Sequence, residues 1–287
     1  MQKLTSGARA TGTLYLIATP IGNLGDISPR ASATLAQVDF IAAEDTRVTL
    51  KLLNHLGIKK PLVSYYEHNM VESGEKITSR LLSGESCALV TDAGTPAVSD
   101  PGEALVRQCA QADIEIISIP GPCAAVAALA VSGIGSGRFA FEGFLTVSGR
   151  SRAERLRELR DERRAMIFYE APHKLRRTLA DMLASFGDRR ISLSRELTKL
   201  HEETLRLTLS EAVALFEETP PRGEFVLVVE GAPREVSVPD FSKAEAVLRE
   251  LLDEGLSLKD ASRLAAERTG AAKNALYEAA VRISKQG

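Results

Sequence analysis

Three glycine-proline turns, each following a short apolar run, carry the groups best suited to grip a small molecule: TLYLIATPIGNLGD at 13–26, ALVTDAGTPAVSDPG at 88–102 and IEIISIPGPCAAVAALA at 114–130. Turns of this kind expose backbone N–H and C=O groups, and glycine lets a ligand come close to the chain. Together they imply one shared small-molecule site. None reads G-x-G-x-x-G and none carries G-x-x-x-x-G-K-[ST], which disfavours a dinucleotide or a nucleoside triphosphate. A serine nucleophile relay is also disfavoured, because no G-x-S-x-G occurs. His55, His68, His173 and His201 lack metal-ligand spacing, and Cys87, Cys109 and Cys123 stand too far apart for a C-x-x-C site or a disulfide framework. No metal is expected.

The turns sit on an alternation of elements that must position them. Strands are expected at 13–18, 40–43, 62–65, 88–91 and 114–119, with helices at 29–35, 46–56, 72–82 and 102–112, and a small-residue helix at 123–132. This predicts a largely parallel sheet with covering helices, its ligand site at the carboxyl ends of the strands. Gly133, Gly135 and Gly137 break the pattern, so 132–138 reads as an inter-domain linker. A second α/β unit follows, with strands at 139–144, 165–169, 191–195, 204–208 and 225–230 and helices at 150–162, 174–186 and 210–217. After Pro233 and Pro239 the composition turns helical. Ser242 with Glu245, and Ser257 with Asp260, fit the capping box that opens a helix. Thr269-Gly270 between amphipathic segments at 258–268 and 271–284 reads as a helix-turn-helix. Lys273, Asn274 and Tyr277 would then face a nucleic acid; the alternative is a helical cap packed on the body by its alanine face. The expected organisation is a flexible N-terminus at 1–11, α/β domains at 12–133 and 134–234, and a helical module at 239–287.

Composition sets bounds on partners. The longest apolar run, 123–131, is far short of the roughly 18 residues of a membrane span, and MQKLTSGARATG at the start has no signal-like apolar stretch. A cytoplasmic protein without membrane partners is expected. A net charge of −2 argues against a protein that coats nucleic acid. Local clustering offsets that, since 148–164 holds seven arginines against four acids. This segment is either a stripe that faces RNA or a solvated helix laced with i,i+4 pairs.

Taken in order, the three turns resemble those of the tetrapyrrole methylase superfamily. AEDTR at 43–47, FYEAPHKL at 168–175, SRELTKLHEE at 194–203 and GEFVLVVEG at 223–231 look like its ribosomal RNA small subunit methyltransferase I branch. The resemblance covers nearly the whole chain. It implies two α/β domains of tetrapyrrole-methylase type (class III methyltransferase), a small C-terminal helical module, a homodimer, and S-adenosylmethionine bound between the α/β domains. By motif position, Pro20 and Ile21 of the first turn, Ala93, Gly94, Thr95 and Val98 of the second, and Cys123 and Ala124 of the third are its implied contacts. Glu170, Leu197, Glu224 and Phe225 are implied to enclose it from the second domain, with plain core packing the alternative for Leu197 and Phe225. Many superfamily members have aspartate where this chain has Thr95, so ribose recognition here must rest on a hydroxyl or on backbone groups.

The branch resemblance further implies methyl transfer to the ribose 2′-hydroxyl of a cytidine in 16S small-subunit ribosomal RNA, near the decoding centre. A tetrapyrrole or other small acceptor on the same fold is the alternative, and a noncatalytic RNA-binding protein is a third reading. An alcohol is a weak nucleophile, so some group must take its proton. Candidates within the branch strings are Asp45, Asp92, Asp100, Glu170, His173 and Lys199. Asp45 is favoured, because AEDTR follows a strand end and places an acid, a hydroxyl and Arg47 in one loop; Arg47 and Lys199 would hold phosphates. The competing reading of Asp45 with Arg47 is a loop-stabilising ion pair, and His173, after a proline, is equally a helix-start residue.

Overall fold

A computed structural model describes residues 11–135, 137–147, 149–233 and 241–284. Residues 1–10 of the expected N-terminus, Ser136 of the expected linker, and Pro239 lie outside the described residues. The chain divides into two compact units, Met1–Ala232 and Pro233–Gly287.

The first unit contains two five-stranded sheets. In the first, strands β1 (Thr13–Ile17), β2 (Phe40–Ala43), β3 (Leu62–Ser64), β4 (Cys87–Val90) and β5 (Glu115–Ile119) are all parallel, in the order β3-β2-β4-β1-β5. Every residue of β2 and of β4 is buried, as expected of central strands covered on both faces. Successive side chains alternate between faces. Phe40 and Ala42 meet Ile77, Leu81, Leu105 and Cys109, while Ile41 and Ala43 meet Ala31, Leu35 and Leu53. These partners come from α3 (Met70–Leu82) and α4 (Gly102–Gln111) on one side, and from α1 (Pro29–Gln37) and α2 (Thr46–Leu56) on the other.

The second sheet is mixed. Strands β6 (Phe139–Phe144), β7 (Ala165–Glu170), β8 (Arg190–Arg195), β9 (Glu203–Thr208) and β10 (Phe225–Val229) lie in the order β6-β7-β10-β8-β9. Only β6 and β7 run parallel, and the other pairs are antiparallel. Helices α6 (Gly149–Leu159), α7 (Pro172–Phe186) and α8 (Leu209–Glu218) cover one face through Leu156, Leu175, Leu179, Met182, Ala212 and Phe216. The other face, with Ile167, Val226 and Val228, is covered by Ala125, Ala128 and Leu129 of α5 (Ala124–Val131). This all-apolar helix follows the last strand of the first sheet, so it ties the two sheets together. Each fully buried Leu, Ile or Val side chain there contributes about 1.5–3 kcal/mol. α6 ends at Leu159, short of the expected 162. There the N–H groups of Arg160 and Glu162 bond back three residues, to Arg157 and Leu159, and the tightened turn delivers the chain to β7.

In the second unit, α9 (Phe241–Asp253), α10 (Leu258–Thr269) and α11 (Lys273–Ser284) share a core of their own, including Ala244, Leu248, Leu251, Ala261, Ala265, Leu276, Ala279 and Ala280. Ser257 caps α10 by accepting from the Asp260 N–H at 3.1 Å, and Gly270 ends it at a left-handed φ of +74°. Lys273, Asn274 and Tyr277 are exposed, while Leu276, Ala279 and Ala280 of the same helix are buried.

Candidate active site

The three turns lock onto one another beyond the ends of β1, β4 and β5. Thr19 N donates to Gly94 O at 2.9 Å and Gly94 N donates to Thr19 O at 3.1 Å, an antiparallel bridge between the first and second turns. Gly94 has a φ of +87°, and a Cβ there would stand 3.4 Å from Ile21 Cγ2. The Thr95 hydroxyl donates to Pro122 O at 3.0 Å, which fastens the second turn to the third. Its proton is therefore engaged, and only its lone pairs remain for a ligand. The loop between β8 and β9 closes on the first turn at Gly22, where a Cβ would lie 2.5 Å from Lys199 Cγ and 3.1 Å from Leu197 O. Enclosed between these loops is a cavity of about 420 Å³, within the range of small-molecule sites.

Its wall brings together Ile21, Ala93, Gly94, Thr95, Val98, Cys123 and Ala124 from the first sheet with Glu170, Leu197, Lys199, Glu224 and Phe225 from the second. Leu197 and Phe225 also pack in the core, Leu197 beside α5 and Phe225 edge-on to Phe216. Pro20, Asp45 and Arg47 are not part of the wall. Sequence reasoning missed Glu44, Ser99, Phe144, Tyr169 and Glu196, which are. Tyr169 carried a signal, because it precedes Glu170 in a singled-out string; its hydroxyl accepts from Ala125 N at 3.2 Å. Ser99 and Glu196 are held at left-handed φ values of +68° and +51°, which residue type does not announce. Such backbone strain clusters at functional sites.

The carboxylates divide sharply. Asp45 is the N-cap of α2: its Oδ1 accepts from Arg47 N at 2.8 Å, and its Oδ2 accepts from Arg47 Nη2 at 2.6 Å. The Arg47 side chain and N–H hold the carboxyl at about 2. Held in this pair and off the wall, Asp45 matches the competing reading of a loop-stabilising ion pair. Asp92 stands on the wall. Burial, and then the neighbouring Glu44 and Asp45 charges, push it above its usual 3.8, although Asp45 N donates to its Oδ1 at 3.0 Å. Burial likewise raises Asp100, whose Oδ1 accepts from Ala97 N at 2.9 Å and Gly102 N at 2.7 Å and so fixes the turn. Burial raises the Tyr169 phenol to about 12, so it stays neutral. Lys199 Nζ sits 3.0 Å from Glu196 Oε1, and that bond lowers the Glu196 pKa. His173 is exposed in the first turn of α7.

The arginine-rich segment is no bare cationic stripe. Arg150 pairs with Glu154, Arg155 with Glu142 and Glu158, Arg164 with Glu162, and Arg152 is buried against Asp181 at 2.7 Å. Among the described residues, no group of His, Cys, Asp or Glu could hold a metal ion, and no helix is long and apolar enough to cross a membrane.

Comparison with known proteins agrees with this architecture. Residues 13–213 match the family described as Tetrapyrrole (Corrin/Porphyrin) Methylases, and residues 238–284 match the RsmI C-terminal HTH domain. The chain is 48% identical over 279 residues to ribosomal RNA small subunit methyltransferase I of Synechocystis sp., covering 96% of this chain and 100% of that one. It is 43% identical over 292 residues to the protein of the same name from Escherichia coli O157:H7, covering 100% of both. Among solved structures, uroporphyrin-III-C-methyltransferase from Thermus thermophilus is similar with a TM-score of 0.54 at 18% identity, covering 76% of this chain and 94% of that one, a likeness of fold alone. With two α/β sheets, one pocket between their loops and a matching helical module, the chain belongs to the tetrapyrrole methylase family and, within it, to the group of proteins named ribosomal RNA small subunit methyltransferase I.

Proposed function

We propose that this chain transfers a methyl group from S-adenosylmethionine to the ribose 2′-hydroxyl of a cytidine in 16S ribosomal RNA near the decoding centre, working in the cytoplasm as a homodimer. One observation carries this reading: relatives named for small-subunit ribosomal RNA match along essentially the whole chain, helical module included. S-adenosylmethionine is the methyl donor of the family, and the pocket fits it. The turns present backbone donors and acceptors around the glycine cradle of Gly94, while Ile21, Val98, Leu197 and Phe225 offer apolar wall. Lys199, the one cation on that wall among the described residues, is already paired with Glu196, so a sulfonium meets little repulsion. When bound, the cofactor supplies an electrophilic methyl group.

The residues of the chain must then align the hydroxyl and remove its proton. Asp92 is assigned that proton, because its raised pKa makes it a better acceptor than Asp45 and it faces the pocket. Asp45 acts behind it, donating its N–H to Asp92 Oδ1. Arg47, 87% exposed, and Lys199 are placed to meet phosphates, and Lys273, Asn274 and Tyr277 give the helical module a polar and aromatic face for RNA.

The test is to incubate purified protein with labelled S-adenosylmethionine and small ribosomal subunits from a strain lacking it, then map the label. Label on one ribose 2′-oxygen is expected. Cofactor binding without RNA label would move the assignment to a tetrapyrrole or another small acceptor.

A further inference from the structure

We infer that Phe144 is a stacking platform for a base of the acceptor RNA, aimed into the pocket by a bulge in β6. The inference rests on the RNA methyltransferase reading and names a contact by which that site takes its acceptor. Residues alternate between the two faces of a strand. In β6, Phe141 packs with Ile167 on the face covered by α5, and Glu142 pairs with Arg155 of α6 on the opposite face. Regular alternation would send Phe144 to the α6 face with Glu142. The ladder to β7 shows otherwise: Phe141 stands opposite Ile167, but Gly143 stands opposite Phe168 and Phe144 opposite Tyr169. One extra residue thus turns Phe144 to the side of Phe141 and Tyr169, and sends Leu145 into the core beneath α6. Bulges are uncommon between parallel strands, and beside active sites they re-aim a side chain. This one requires glycine, since Gly143 has a φ of +63° and a Cβ there would stand 3.1 Å from Ser99 Oγ. The bulge therefore rests on the same turn that carries Asp92, at a residue that is itself left-handed.

The result is an aromatic ring that the fold does not bury. Phe144 lines the pocket and is 57% exposed. Behind it, Tyr169 is fixed by its hydroxyl on Ala125 N and by the Phe141 ring at 5.2 Å. Phe144 meets Tyr169 at 5.5 Å with a tilt of 60°, so the two rings do not stack on each other. A single exposed apolar side chain needs no explanation in itself; one turned toward a cavity by a bulge does. Position selects the occupant. Gly94, Leu197 and Phe225 are buried and Cys123 and Ala124 half-buried, whereas Asp92 and Phe144 both reach solvent. Most groups assigned to the cofactor lie deeper, and the assigned proton acceptor shares the outer rim with the ring. An unpaired RNA strand entering over that rim brings a ribose hydroxyl to Asp92 and rests a base on Phe144, as unpaired bases stack on aromatic side chains. Every base has a flat face, so the platform sets affinity for the acceptor and leaves nucleotide identity to other contacts.

The experiment measures methyl transfer to small ribosomal subunits from a strain lacking the enzyme, with steady-state kinetics in the subunit and calorimetric titration of S-adenosylmethionine on the same full-length variants. Phe144→Ala is expected to lower kcat/KM for the subunit by about 5- to 150-fold, the loss of one stacked base, chiefly through KM, with cofactor affinity and melting temperature close to the parent's. Phe144→Tyr, which keeps the flat ring, restores the parental value. Phe144→Leu, apolar but not flat, behaves like the alanine variant. An unchanged kcat/KM in Phe144→Ala, or a leucine variant as good as the tyrosine one, would overturn the inference. A matching loss of cofactor affinity would also overturn it, by placing the adenine of the cofactor on the ring. A parent protein that binds the cofactor but labels no RNA would instead remove the RNA reading itself, before any variant is compared.

Discussion

The loops after β2 and β4 each place an aspartate just beyond a strand end, and Asp45 of the first donates its N–H to Asp92 of the second at 3.0 Å. Yet the two side chains are driven in opposite directions. Asp45 has a guanidinium and a helix N-terminus to itself, both of which favour the charged form, and sits at about 2. Asp92 has no ion pair among the described residues, is partly withdrawn from water and is faced by Glu44 and Asp45, so its pKa rises. Residue type and loop position are shared, so the partners decide the role. On the function proposed above, two carboxyl groups pushed apart in this way divide the labour, one structural and one taking the proton.

The largest expected effect that tests this contrast comes from Asp92→Asn. Single-turnover methyl transfer should slow by roughly 10²–10⁴, the usual contribution of a general base, while calorimetry finds cofactor affinity unchanged. Near-normal turnover would hand the proton to another wall group. The same variant should melt higher than the parent at neutral pH. The sign follows from linkage: a folded-state pKa above the usual 3.8 means that ionising Asp92 destabilises the fold, so its favourable contribution is present at low pH and lost as pH rises through the folded value. In a pH profile of kcat/KM, the acid limb should have its midpoint above 3.8, the rate falling as the base is protonated; a midpoint below would assign the limb to a group like Asp45.

Of intermediate size is Gly94→Ala, on the same loop as Asp92. Its φ of +87° puts a side chain into left-handed territory, at a cost of about 1–2 kcal/mol, and cofactor affinity and melting temperature should both fall. Unchanged affinity would mean that the loop reshapes freely and does not hold Asp92 in place. The smallest effect is expected from Asp45→Asn. Asparagine caps helices as well as aspartate does, so methylation should stay close to normal; a loss as deep as that of Asp92→Asn would reverse the two roles.

The first sheet was readable because its central strands are apolar on both faces and its turns are marked by glycine and proline. FIAA at Phe40–Ala43 and CALV at Cys87–Val90 leave little else to be. Pairing in the second sheet was not readable, since hydrophobic runs such as FVLVV say that a strand is central without saying which neighbours it takes or in which direction. The residues around the pocket could be picked by motif, but partners could not. Arg152 looked like one more solvated arginine because helix periodicity compares it only with residues three or four away, whereas its partners Thr178 and Asp181 come from the next helix. Asp45 left two readings open for the reverse reason. Its partner is two residues along the chain, and only geometry tells a cap from a base.

Strand β10 has a further consequence, in the order in which the chain is made. It is the middle strand of the second sheet and also the last to be synthesised. Until residues 225–229 emerge, β6 with β7 and β8 with β9 are two separate ladders with open inner edges, an arrangement that is marginal in water and prone to pair wrongly. The nascent body therefore waits, half its sheets unjoined, for five residues that close both edges at once and, in starting at Phe225, set down the last stretch of the pocket wall.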